Sequence, residues 1–316
     1  MEHHFNSYSI KTFHAHESPE QKLIANFNNG LYSIVANDEQ PRLPIVLNSP
    51  HSGNEYPLEF IESSHLNPHL LRRSEDYYAD ALFSGLIAYG APMIRANFPR
   101  AYLDLNREPY EFDQKLFKQK LPERANTKSI RVANGLGTIA RVVSEGMVIY
   151  KKPLTLDEAL ARINLLYHPY HESLLELLGQ AHDRFGYSIL IDCHSMPSHF
   201  DYRKNGQKPD IIIGDRYGSS CNPALSQALM LEFKALGYHV VRNTPFAGGF
   251  NCEHYGRPEQ GIHAAQIEIN RALYVDEKTY LPSANFNQLQ NHITHVLSKL
   301  ETITEGYFYP TNLAAE

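Results

Sequence analysis

Tryptophan is absent from this 316-residue sequence, and only three cysteines occur: Cys193, Cys221 and Cys252. An odd number at wide spacing excludes a disulfide framework and a Cys-x-x-Cys metal knuckle. No apolar run approaches the ~18 residues needed to span a bilayer. Met1 to Lys11 lack the apolar stretch and small-residue cleavage site of a secretory signal, so a cytoplasmic address is expected. Positive charge is in deficit, with 29 Lys and Arg against 35 Asp and Glu and a net charge of −6. With no basic stripe to contact phosphates, neither a nucleic-acid nor a membrane partner is expected. Missing too are the glycine-rich phosphate loops and the Gly-x-Ser-x-Gly nucleophile elbow.

Histidine, by contrast, is plentiful: 17 residues, including His3, His4, His14 and His16 in a polar lead-in over residues 1–40. The chain is long enough to bury a full core without disulfides or metal. Leu43 to Asn48 reads as a buried strand ending in a turn at Ser49-Pro50-His51-Ser52-Gly53. Leu70 to Tyr89 has helical spacing, with Gly90 as its C-cap. Pro92 to Phe98 and Ala101 to Leu105 read as strands. Phe112 to Gly137 is polar and irregular, long enough to suggest a lid or binding loop. Thr155 to Phe185 is the strongest helical stretch, and Pro169 predicts a break near His168. Ser188 to Cys193 is near-continuously apolar, as a central strand would be. Asp210–Gly214, His239–Arg242 and Ala264–Ile269 are further strands, while Asn222–Leu236 and Ser283–Leu300 are amphipathic helices. The alternation predicts one α/β domain over 1–316, a mixed, mostly parallel sheet flanked by helices.

Ligands of open α/β sheets gather beyond the carboxyl ends of strands. His51, Asn106, Arg107 and His194 follow expected strands, and Glu268 lies in or at the end of the last one. Two histidines and a carboxylate with an open fourth position make a hydrolytic zinc site. His51 and His194 form the natural pair, and Asp192 lies on the same side of the strand to orient an imidazole. Two carboxylates can complete the set: Glu55, four residues after His51, and Asp76, which shares a helical face with Asp80. His168 and His171 also have suitable spacing, but Pro169 lies between them and no nearby carboxylate completes a set, so a structural role is expected there. Arg100 and Arg107 have Asp104 and Glu108 as nearby partners.

A series of short motifs carries a resemblance. These are Asn48-Ser49-Pro50-His51-Ser52-Gly53, Ser74-Glu75-Asp76, Phe98 to Arg107, Gly135 to Val142, Tyr167-His168-Pro169-Tyr170-His171, Asp192-Cys193-His194-Ser195-Met196, Pro209 to Gly214, Gly248-Gly249-Phe250, His254-Tyr255-Gly256 and Gly261 to Glu268. In this order they resemble the N-formylglutamate amidohydrolase family. The resemblance implies a fold like that of zinc-dependent exopeptidases, His51 and His194 as ligands of one zinc ion, and Glu268 as general base. The exopeptidase pattern His-x-x-Glu is not met, because Asn54 stands third after His51; Asp76 is therefore placed as third ligand, with Glu55 as fallback. Arg107 or Arg141 would steady the oxyanion. Arg100, Arg107, Arg141 and Arg257, with Asn106 and His254, would bind a small N-acyl amino acid bearing two carboxylates. Two rivals remain: a zinc hydrolase acting on another N-acyl amino acid or small peptide, and a non-catalytic homologue holding metal structurally.

Overall fold

The computed structural model describes residues 9–13, 29–144, 146–199 and 208–300. His3, His4, His14 and His16 lie outside them. Eight strands form one sheet: β1 Ser9–Phe13, β2 Tyr32–Ala36, β3 Ile45–Ser49, β4 Met93–Ala96, β5 Ser188–Met196, β6 Ile211–Gly214, β7 Val240–Arg242 and β8 Ile262–Asn270. Their spatial order is β1-β2-β4-β3-β5-β8-β6-β7. The central β4-β3-β5-β8 run is parallel. The β1–β2, β2–β4 and β6–β8 pairings are antiparallel. The polar lead-in is thus partly strand, since β1 and β2 extend one edge of the sheet.

Alternation along the strands sorts side chains onto two faces. Val46, Leu190 and Ala264 face a core shared with Leu174, Leu178 and Ala181 of the helix His168–Phe185. Ile45, Leu47, Ile189, Ile191 and Ile267 face the other, packed on Leu225, Leu229 and Ile293 of the helices Pro223–Ala235 and Phe286–Ser298. Helices therefore cover both faces, and every residue of β5 is buried. The three cysteines are buried and unpaired. Among the described residues no helix is long and apolar enough to cross a membrane.

Two expected elements come out differently, and a third is interrupted where expected. Leu70–Tyr89 is not one helix: Pro68–Leu71 and Ala79–Phe83 are short α-helices separated by a break in which Tyr78 adopts a left-handed φ of 54°. Asp76 sits in that break, where its N–H donates to the His51 carbonyl (3.0 Å). Asp76 and Asp80 consequently do not share a helical face, and Asp80 pairs with Arg95 at 2.6 Å. Ala101–Leu105 is a turn, begun by Tyr102 N–H donating to the Pro99 carbonyl. The long helical stretch is interrupted as Pro169 requires, with a π-helical turn at Ile163–Tyr167 before His168–Phe185. Thr155 caps its start in a capping box with Glu158.

Candidate active site

The carboxyl ends of three adjacent parallel strands build the site. In register, Asn48 of β3 lies beside Asp192 of β5, Asp192 beside Gln266 of β8, and His194 beside Glu268. Asp192 and His194 follow Leu190 at period two, so the face that packs core at one end of β5 presents polar groups at the other. His51 leaves the turn after β3. The break at Glu75–Tyr78 is tied to that turn and carries Asp76 to the same point.

His51, Asp76 and His194 are all buried, and one ligand atom of each lies within 4.8 Å of the others. Asp76 Oδ2 is 2.8 Å from His194 Nδ1 and 3.4 Å from His51 Nδ1. The far nitrogens are each held by a carboxylate: His51 Nε2 lies 2.7 Å from Asp104 Oδ1, and His194 Nε2 lies 2.9 Å from Asp192 Oδ2. With the Nε2 atoms held in this way, both Nδ1 atoms point towards Asp76. Among the described residues, the buried His51 Nδ1 has no hydrogen-bond partner. Two oriented imidazoles, a carboxylate and an orphaned buried nitrogen fit a divalent metal ion. Without one, burial lowers the His194 pKa, but Asp192 and Asp76 outweigh it and hold the imidazole well above its ordinary range. Burial raises the Asp76 carboxyl, and the imidazoles of His194 and His51 outweigh that, keeping it well below.

Asp192 is fully buried and collects amide donors. Asn48 Nδ2 donates to it at 2.6 Å, Asn106 Nδ2 at 3.2 Å and Asn251 Nδ2 at 3.2 Å. Tyr170 O–H donates to Asn48 Oδ1 at 2.6 Å and fixes that amide, while Tyr167 O–H donates to the Arg107 carbonyl at 2.7 Å. The Tyr167–His171 motif thus supports the site from behind, and His171 is spent on Tyr255. Glu268 is buried in the cavity wall, and burial pushes its carboxyl up to about 7.

The cavity at this edge encloses about 540 Å³. His51, Asp76, Asn106, His194, Glu268, Arg100 and Arg107 line it. Arg141, His254 and Arg257 do not. Arg141 pairs with Asp113 at 2.6 Å, His254 is exposed and stacks on Phe250, and Arg257 is exposed and donates to the Glu253 and Gly256 carbonyls. Glu55 lies beside Asn29 in a separate cavity. Three arginines that the sequence motifs do not mark, Arg73, Arg131 and Arg271, also line the wall. Arg271 donates to Ser195 Oγ at 3.1 Å and to Asp76 Oδ1 at 3.2 Å. Sequence spacing marks Asp104 only as an arginine partner, yet it also holds His51. Its position in Phe98–Arg107, between two arginines, was the available signal.

The sequence profile of the family described as N-formylglutamate amidohydrolase matches residues 43–275, a span that includes all of these site residues. N-formylglutamate deformylases of Pseudomonas aeruginosa and Pseudomonas putida are 27% and 28% identical to the chain, over 77% of its length and 86% of theirs. Among solved structures, an N-formylglutamate amidohydrolase from Ralstonia eutropha JMP134 superposes with a TM-score of 0.80 at 33% identity, covering 87% of this chain and 99% of that one. The gene product Atu2144 of Agrobacterium tumefaciens shares the fold, with a TM-score of 0.60 at 19% identity over 86% of this chain and 95% of its own.

Proposed function

This chain belongs to the N-formylglutamate amidohydrolase family of amide-cleaving hydrolases, and on that premise we propose that it hydrolyses N-formyl-L-glutamate to formate and L-glutamate, with one zinc ion held by His51, Asp76 and His194. The observation that carries the zinc assignment is the convergence of three buried donors whose imidazoles are each held from behind by a carboxylate. When bound, zinc supplies a Lewis acid for the formyl carbonyl and acidifies a water molecule.

The chain's own groups do the rest. Glu268 takes the proton of the attacking water and passes it to the leaving amine. Burial places its carboxyl near the working pH, where both transfers are possible. Arg107 has its Nε bonded to the Leu136 carbonyl and one terminal nitrogen to the Asn106 carbonyl, so the guanidinium is fixed for the developing oxyanion. Arg100 is held by Asp104 at 2.8 Å and, with Asn106, faces the substrate. Five arginines against three carboxylates make the cavity wall cationic within an acidic chain, as a dianionic substrate requires.

The test is Glu268→Gln in zinc-loaded protein. Zinc content should stay at one per chain while kcat falls about 10²–10⁴-fold. Unchanged turnover removes Glu268 from the base role.

A further inference from the structure

Of the five arginines at the cavity, three are committed to the protein. Arg271 is bonded to Ser195, to Asp76 and to the Glu75 carbonyl. Arg100 places two nitrogens on Asp104. Arg107 is bonded to two carbonyls and lies 3.5 Å from Asp104. Arg131 and Arg73 remain. Neither guanidinium makes a hydrogen bond among the described residues.

The two differ in how they are held. Arg73 is exposed. Arg131 is half-buried, on the short helix Ile130–Ala133. Ser129 caps that helix by accepting from Val132 N–H, and the Ser129 hydroxyl also donates to buried Glu111. The second Glu111 oxygen approaches Arg131 only to 3.9 Å. This charge orients the guanidinium without consuming its donors. Ala140, Val142 and Val143, shortly after this helix in the chain, also line the cavity, so its wall pairs apolar side chains with the Arg131 cation. Methylenes leading to a carboxylate would match that pairing.

We propose that Arg131 binds the side-chain carboxylate of the acyl amino acid and so makes the enzyme select glutamate-type substrates over their neutral amides. The inference rests on the reading of this cavity as the amide-hydrolysing site. A planar guanidinium with free donors pairs with a carboxylate through two parallel hydrogen bonds, whereas a primary amide offers only one acceptor oxygen. Selection therefore arises in binding rather than in the chemical step.

The experiment compares zinc-loaded wild type, Arg131→Met, Arg131→Lys and Arg73→Gln. Two ratios are read: kcat/KM for N-formyl-L-glutamate over N-formyl-L-glutamine, and the calorimetric Kd of L-glutamine over that of L-glutamate. In wild type both should favour the acid about 10–100-fold. Arg131→Met should bring both within about three-fold of unity, with the change for N-formyl-L-glutamate carried mainly by KM. Arg131→Lys, which keeps the charge and so guards against misfolding, should fall between. Arg73→Gln should leave both ratios in place. Ratios that survive Arg131→Met, or that collapse in Arg73→Gln instead, overturn the assignment. Equal wild-type affinities for the two amino acids overturn it as well. If wild type hydrolyses neither formyl compound, the proposed activity fails, and the binding ratio alone decides the role of Arg131.

Discussion

Replacing Asp192 by Asn changes one atom at a fully buried position. The carboxylate accepts from Asn48 and Asn251 on one oxygen and from Asn106 and His194 on the other. An asparagine has one acceptor and one donor end, so one of these pairs must meet an N–H₂ group. If the amide nitrogen faces His194, the favoured tautomer moves its proton from Nε2 to Nδ1, the atom that should ligate the metal. Losing a carboxylate behind a ligating histidine typically costs 10–100-fold in metal affinity, or about 1.4–2.7 kcal/mol. If the nitrogen faces Asn48 instead, two donors oppose each other, and the cost of about 1–3 kcal/mol falls on folding. Zinc affinity measured by competition with a chromophoric chelator, alongside urea unfolding of the metal-free protein, separates the two. Zinc affinity should fall at least about ten-fold. Affinity within about three-fold of wild type, with loss of stability alone, would refute the view that Asp192 sets the tautomer of His194.

Further outcomes follow from the same geometry. A Cβ on Gly249 would lie 2.4–2.7 Å from the side chain of Asn106, which is pinned by bonds to Asp192 and from Asn251 N–H. Gly249→Ala should therefore cost about 1–3 kcal/mol in urea unfolding and lower kcat/KM, and an unchanged protein would show that Asn106 is free to move. Burial depresses the folded pKa of His171 to about 3 and of His263 to about 4. The unfolded chain, with histidines near 6.5, then takes up protons first, so stability is held above pH 6.5 and lost as pH falls. Between pH 7 and pH 5 each contributes a loss of up to about 2 kcal/mol. His171→Gln should remove its share of that slope in metal-free protein, and an identical slope in both proteins would contradict the assignment.

Much of the centre was legible because strand ends impose an order on distant residues. His51 follows one strand that the hydrophobic runs marked, His194 and Glu268 lie near the ends of two more, and placing those strands side by side leaves only one edge for their polar ends. Asp76 was harder. Helical spacing through Leu70–Tyr89 hid a break that depends on the left-handed Tyr78 and on a backbone bond to His51, neither of which local periodicity encodes. Ala101–Leu105 misled for the opposite reason: its apolar residues are buried by tertiary packing in a turn, so burial mimicked a strand. The arginines divided by context. Arg100 and Arg107 lie beside Asp104, within the site, whereas Arg141 and Arg257 find partners outside the cavity. Arg131 sits in the polar segment suspected of a binding role, where its charge was one among several.

The central claim is metal-dependent deformylation, and the direct measurement is product release from N-formyl-L-glutamate by chelator-stripped protein before and after zinc is restored. The account predicts intact substrate without metal, and equal amounts of formate and L-glutamate once one zinc per chain is bound. Hydrolysis at the full rate by the metal-free protein would contradict it.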